Sequence, residues 1–320
     1  MKLHENQTLF RQAVRFTAQE MEIPDLYIEK DYWVTFALKQ IFSKETKDYC
    51  VFKGGTALSK CYGIVERFSE DIDLVIMKTG DESANQLKNR LKKVSQIIEE
   101  YLPEVAVTNI TQKMVMNRKT AHAYSKEFQG NYGQIRDVII VEASWLSYFE
   151  PFEQKSIRTF ISEMMLRNGQ ESLIEEYELE EFAANVLKTE RTLCEKIMSL
   201  VRFSYSEDYI ADLKSKIRHT YDIHQLLQEK DIVIENNRIS LNLNFEEDRI
   251  NEIYENLKTN NYGGKMQDYR VIECIRLFWT YPKSSPTLYP YANHEIWKLD
   301  AVNKKFLDGY FNGLNEFSKF

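Results

Sequence analysis

One stretch constrains the fold of this chain more than any other. Phe52-Lys53-Gly54-Gly55-Thr56-Ala57-Leu58-Ser59-Lys60 is followed by Arg67-Phe68-Ser69-Glu70-Asp71-Ile72-Asp73-Leu74-Val75-Ile76. The pattern predicts a strand, a glycine turn, a helix and an acidic strand in that order. On a strand, residues i and i+2 share a face, so Asp71 and Asp73 converge while Ile72 and Leu74 turn into the core. Two carboxylates with open space beside them suit magnesium, which takes oxygen ligands and keeps waters while sharing substrate phosphates. Gly54 and Gly55 let backbone approach phosphate oxygens closely, and a helix over Thr56 to Glu66 would present its first N–H groups to an anion. Fifteen residues separate Gly55 from Asp71, room for about three helical turns and a return loop. A lone Gly-Gly is usually a turn, and a lone Asp-x-Asp usually a solvated strand end; the ordered combination is far more specific.

The combination resembles the nucleotidyltransferase signature of the DNA polymerase β-like superfamily, and in detail the AbiEii/AbiGii toxin family, which includes the MenT toxins. Glu29-Lys30-Asp31-Tyr32-Trp33-Val34 resembles that family's N-terminal segment. Arg191-Thr192-Leu193-Cys194-Glu195-Lys196-Ile197 resembles its lysine helix, and Arg218-His219-Thr220-Tyr221-Asp222-Ile223 its Arg-His-x-x-Asp helix. The resemblance implies an α+β fold: a polymerase β-like core, with a small mixed sheet flanked by helices, and a mainly helical C-terminal lobe. It also implies metal-dependent transfer of a nucleoside monophosphate from a nucleoside triphosphate to an acceptor hydroxyl. By the same resemblance the acceptor is RNA, at the tRNA 3′ end, the setting is a bacterial toxin–antitoxin or abortive-infection system, and a cognate antitoxin is a partner.

The resemblance assigns catalytic roles to Asp71, Asp73, Lys196 and Asp222, with Mg2+ or Mn2+ as cofactor. Lys196 lies among Leu193, Ile197 and Leu200, so its stem can pack while its ammonium reaches a triphosphate; the alternative is an ordinary surface lysine. Asp222 has as its alternative an ion pair with Arg218 one turn earlier. Glu142 ends the apolar run Val138-Ile139-Ile140-Val141. It is either a third metal carboxylate or a solvent-facing strand end. Gly54, Gly55, Thr56, Lys60 and Lys196 are the nucleotide-binding candidates, with Lys30 and Asp31 at the rim. A nucleotide-binding module without transferase activity is the alternative function.

Periodicity predicts helices over residues 5–22, 27–43, 56–66, 81–101, 187–201 and 214–227, then 245–257 and 304–317, with mostly helical character from Leu173 onward. Strands are expected over 50–52, 71–77, 105–112, 121–128 and 135–144, with a loop and short strand over 151–162. The division expected is a core lobe over 1–160 and a helical lobe over 161–320.

Composition fits such an enzyme: 320 residues, 43% hydrophobic and 28% charged, enough for two substantial cores. The formal net charge of −7 argues against a surface coated with nucleic acid and leaves local contacts open. Lys88 to Lys93, Arg118-Lys119 and Lys214 to Arg218 are basic clusters that either face an acceptor or form solvated faces. Tyr281, Tyr289, Tyr291 and Trp297 either stack bases or pack locally. Cys50, Cys61, Cys194 and Cys274 are isolated, which fits a reducing compartment and no zinc site. The N-terminus has no apolar leader and no apolar run reaches about eighteen residues, so the expected location is the cytoplasm, without a membrane partner.

Overall fold

Cys50, Val51 and Phe52 are wholly buried, and they form the centre of the sheet in the computed structural model. The structure describes residues 1–130, 135–203, 208, 211–212, 215–226, 229, 232–235 and 238–241. The helices expected over 245–257 and 304–317, Cys274 and the aromatic group Tyr281 to Trp297 lie outside the described residues. Two compact units divide the chain, Met1–Lys188 and Thr189–Phe320.

In the first unit, helices α1 (Gln7–Met21) and α2 (Asp25–Phe42) lead into strand β1 (Cys50–Lys53), helix α3 (Gly54–Lys60) and strand β2 (Ile72–Ile76). Helix α4 (Ala84–Glu99), short strands β3 (Glu104–Val105) and β4 (Gln112–Lys113), and strands β5 (Asn117–His122) and β6 (Ile139–Ser144) follow. Strand β7 (Phe152–Ile157), helices α5 (Phe160–Arg167) and α6 (Glu171–Glu176), and strand β8 (Phe182–Leu187) complete the unit. The sheet runs β3-β5-β6-β2-β1-β8-β7, with β4 on β5. It is mixed: β2 with β6 and β1 with β8 are parallel, and β1 with β2 is antiparallel. The second unit contains α7 (Thr189–Phe203), α8 (Ile217–Leu226) and the hairpin β9 (Ile232–Glu235) to β10 (Arg238–Leu241).

Strand alternation gives the sheet two unlike faces. Cys50, Phe52, Ile72, Leu74, Ile76, Ile139, Val141 and Ala143 join residues of α1, α2, α4 and α5 in one core. The opposite face carries only small apolar groups, Val51 with Val75 and Leu187, and Ala121 with Ile140. Between those groups lie the polar residues of the acidic strand.

Helix α2 is buried almost all round, charged residues included. The Glu29 carboxylate accepts N–H bonds from Glu127 (2.6 Å) and Phe128 (3.3 Å), and burial pushes its pKa up to about 7. Lys30 donates to the carbonyls of Arg136 (2.8 Å) and Val138 (2.5 Å) and pairs with Glu70 at 3.3 Å. Asp31 accepts the Phe160 N–H at 2.9 Å and pairs with Lys60. Three consecutive charged side chains thus hold three different stretches of chain. The rim positions expected for Lys30 and Asp31 are corrected accordingly: both are buried, and the partners that offset their desolvation are structural.

Several boundaries also differ from the periodicity. Helix α3 stops at Lys60 because Gly63, at φ +65°, turns the chain, and the N–H groups of Gly63 and Ile64 bond to Ser59 and Leu58. Helix α4 starts behind a Ser83–Gln86 capping box, while Thr79 bonds Glu82. Between Val105 and Gln112 the chain turns, with Ile110 and Thr111 N–H groups on the Val107 carbonyl. Strand β6 begins at Ile139, since the backbone at Arg136 and Val138 is engaged by Lys30 and Glu70. Strand β8 replaces the helical character expected after Leu173: Phe-Ala-Ala-Asn-Val-Leu has no strong local preference, and the free edges of β1 and β7 decide it.

Candidate active site

The register of four neighbouring strands builds a polar row across the open face of the sheet. Lys119 on β5 stands opposite Glu142 on β6, Glu142 opposite Asp73 on β2, and Asp73 opposite Lys53 on β1. Two acids lie between two lysines. The side-chain period of two adds Asp71 beside Asp73 and Asn117 beside Lys119 on the same face. Lys119 reaches Glu142 at 2.8 Å, Asn117 donates to it at 3.3 Å, and Lys53 donates to the Ser147 hydroxyl at 3.1 Å. Asp71 receives Arg136 Nη1 on both oxygens, at 2.9 and 3.2 Å.

The glycines are fitted to this row. Gly54 has φ +83°, and a Cβ there would lie 2.3 Å from Asp73 Oδ2. A Cβ on Gly55 would lie 2.4 Å from Arg67 Nη2 and 2.9 Å from Ser69 Oγ. At Gly54 the positive φ and the contact with Asp73 together call for bare backbone, and at Gly55 the Arg67 guanidinium and Ser69 hydroxyl pack against the turn. Thr56 is buried; its hydroxyl donates to the Asp71 carbonyl at 2.7 Å and lies 2.9 Å from Ser69 Oγ, tying α3 to the acidic strand.

Burial pushes Asp73 up to about 7, and the charges of Asp71 and Glu142 add to the rise against the opposing pull of Lys53 and Lys119. Glu142 goes the other way: burial disfavours its charge, but the hydrogen bond and charge of Lys119, with Asn117 and Lys53, hold it below the usual carboxylate range. Asp73 is therefore the carboxyl of the row that most resists ionisation, a balance that a divalent cation beside it would reverse. Carboxylate oxygens from two adjacent strands are the donor type a hard divalent cation takes, and Arg136 and Lys119 serve as counterions to two of the carboxylates. Among the described residues no three His, Cys, Asp or Glu side chains are gathered into a ready cage; Asp71 and Glu142 are turned toward Arg136 and Lys119.

An Asp73→Asn variant is expected to separate these effects. A carboxyl whose folded pKa is raised contributes stability below its unfolded pKa and loses it as pH rises through the folded one. The wild type should therefore lose on the order of 4 kcal/mol relative to the variant between pH 4 and 8, the size of a shift from 3.8 to about 7. Added magnesium should restore the wild type at pH 8 and leave the variant unmoved. Thermal melts at several pH values check this; parallel pH profiles would contradict it.

The sequence candidates thus divide by place. Gly54, Gly55, Asp71, Asp73 and Glu142 come together, with Thr56 beneath them. Lys60 closes the other end of α3 onto Asp31, about 9 Å along the helix from Gly54 at the usual rise per residue. Lys196 and Asp222 meet each other in the second unit, Nζ to Oδ2 at 2.6 Å, both buried. Lys53, Arg67 and Arg136 belong to the site but were given no role by the sequence, and Lys119 was marked only as part of the basic Arg118-Lys119 cluster. Lys53 directly precedes the glycines, a usable signal; Lys119 and Arg136 are brought in by strand register and by a loop.

An acidic pair on an open sheet face, pressed against a glycine turn and flanked by basic groups, defines a nucleotidyltransferase. Residues 37–265 match the profile of the family described as nucleotidyl transferase AbiEii toxin, type IV toxin–antitoxin system. The chain belongs to this AbiEii toxin family. Among solved structures it is similar to MenT4, a nucleotidyltransferase toxin from Mycobacterium tuberculosis H37Rv, at 12% identity and a TM-score of 0.40, over 92% of this chain and 97% of that one. No curated protein matches. No helix among the described residues is long and apolar enough to cross a membrane.

Proposed function

We propose that this protein transfers a nucleoside monophosphate from a nucleoside triphosphate to an RNA hydroxyl, at the 3′ end of a tRNA, as a toxin with a cognate antitoxin in the bacterial cytoplasm. The observation that carries the reading is the row Lys119, Glu142, Asp73, Lys53 with Gly54 pressed against Asp73. Asp71 and Asp73, with Glu142 as the third acid, would hold Mg2+ or Mn2+, which neutralises triphosphate charge and makes the acceptor oxygen more acidic.

The acceptor oxygen attacks the α-phosphorus, an O–P bond forms, and the α–β bridging bond breaks. Pyrophosphate leaves with that electron pair, and the acceptor proton passes to a carboxylate of the site. Backbone at Gly54 and Gly55 lies close to the phosphates, and Lys53, Arg67 and Lys119 balance their charge. Lys196 and Asp222, an ion pair of the second unit, take their triphosphate and positioning roles from the family resemblance. Lys60 takes a supporting part by fixing α3 through Asp31.

Purified protein incubated with labelled nucleoside triphosphates, magnesium and total RNA should label RNA. Asp71→Ala should reduce the rate by about a thousandfold, the scale of losing a charge-stabilising group in a water-poor site. Label that is independent of magnesium, or undiminished by the substitution, would exclude the enzymatic reading.

A further inference from the structure

Arg136 is held more firmly than an exposed arginine requires. Its side chain is 44% exposed, yet its backbone is gripped from both sides by buried charges. The N–H group is shared by the Glu70 carboxylate oxygens at 2.9 and 3.2 Å, and the carbonyl accepts from Lys30 at 2.8 Å. Lys30 and Glu70, 0% and 6% exposed, also pair at 3.3 Å. Burying two charges is costly, and the residue they fix delivers its guanidinium to both oxygens of Asp71. A monovalent cation thus occupies the carboxylate on which a divalent one is needed.

We propose that Arg136 is a built-in counterion for Asp71 which the arriving cation displaces, and that the released guanidinium then binds the triphosphate that accompanies the cation. The inference rests on the reading that Asp71 binds the catalytic cation. Fixed backbone at residue 136 keeps the guanidinium beside the Asp71 carboxylate at which the exchange takes place. Planar, permanently charged and able to bind phosphate through two parallel hydrogen bonds, arginine suits this exchange as lysine does not.

The role predicts two changes of opposite sign. In nucleotide-free protein, Arg136→Gln should bind Mn2+ roughly two- to fivefold more tightly, because the competing ion pair is gone. With magnesium present, the same variant should bind α,β-methylene nucleoside triphosphates, tried with each base, about tenfold or more weakly. Arg136→Lys should fall between wild type and Arg136→Gln in both measurements. Lys126→Gln, which removes the same charge from the nearby Lys126–Asp137 pair, should change neither. Unchanged or weaker Mn2+ binding in Arg136→Gln would overturn the proposal. Tighter Mn2+ binding with unchanged triphosphate binding would overturn the transfer of the guanidinium. Asp71→Asn distinguishes the two readings: if it leaves Mn2+ binding intact, the cation assignment itself fails.

Discussion

Lys30→Met is expected to destabilise the first unit by about 3–5 kcal/mol, the range for removing one partner of a buried ion pair. The ammonium is wholly buried, and it neutralises Glu70 while supplying donors to the carbonyls of Arg136 and Val138. Without it, a buried carboxylate and two backbone carbonyls, the Val138 one buried, lose a partner together. Domains are stable by only about 5–15 kcal/mol, so much of the protein should unfold at moderate urea concentrations. Equilibrium urea unfolding gives the value. The double variant Lys30→Met/Glu70→Gln should recover part of the loss, since it removes the stranded charge. A Lys30→Met midpoint within error of wild type would show that α2 does not clasp the site from beneath.

Gly54→Ala is expected to cost at least about a hundredfold in transfer rate, the scale on which a misplacement of about 1 Å is felt in catalysis. Two constraints meet at this residue. Its φ of +83° lies where a side chain is strained, and the added methyl would stand 2.3 Å from Asp73 Oδ2, so either turn or carboxylate must move. Gly63→Ala separates the two. Gly63 also has positive φ, at +65°, but a Cβ there meets nothing within 4 Å. That control should lose about 1–2 kcal/mol of stability, the cost of the left-handed conformation, and keep its activity. Equal loss of activity in the two variants would mean that backbone strain, and not contact with Asp73, makes Gly54 necessary.

The contrast between these two predictions shows which parts of the molecule were legible before the structure. The turn and acidic strand were, because strand alternation and glycine chemistry act over a few residues, and so were α1 and α7, whose apolar periodicity is local; α2 was expected as an amphipathic helix and is instead buried almost all round. The role of Glu29-Lys30-Asp31 was not. Charged residues in a row suggest solvent, and their partners at Glu127, Arg136 and Phe160 lie 98, 106 and 129 residues away. Strand β8 was hidden for a similar reason, since its pairing with β1 and β7 outweighs a weak local preference. Lys119 entered the site only through register, because the strand expected over 121–128 runs instead over Asn117–His122. Lys196 and Asp222 were named for triphosphate charge; their 2.6 Å pairing adds a structural duty to each, as both are buried.

The central claim is that the α-phosphorus is the atom attacked. The direct measurement compares wild-type protein given magnesium, RNA and nucleoside triphosphates labelled at either the α- or the γ-phosphate. Label from the α position should appear in RNA, with pyrophosphate released in equal amount, and none should appear from the γ position. RNA labelled from the γ position, or α-labelled nucleotide consumed without labelled RNA, would contradict the account.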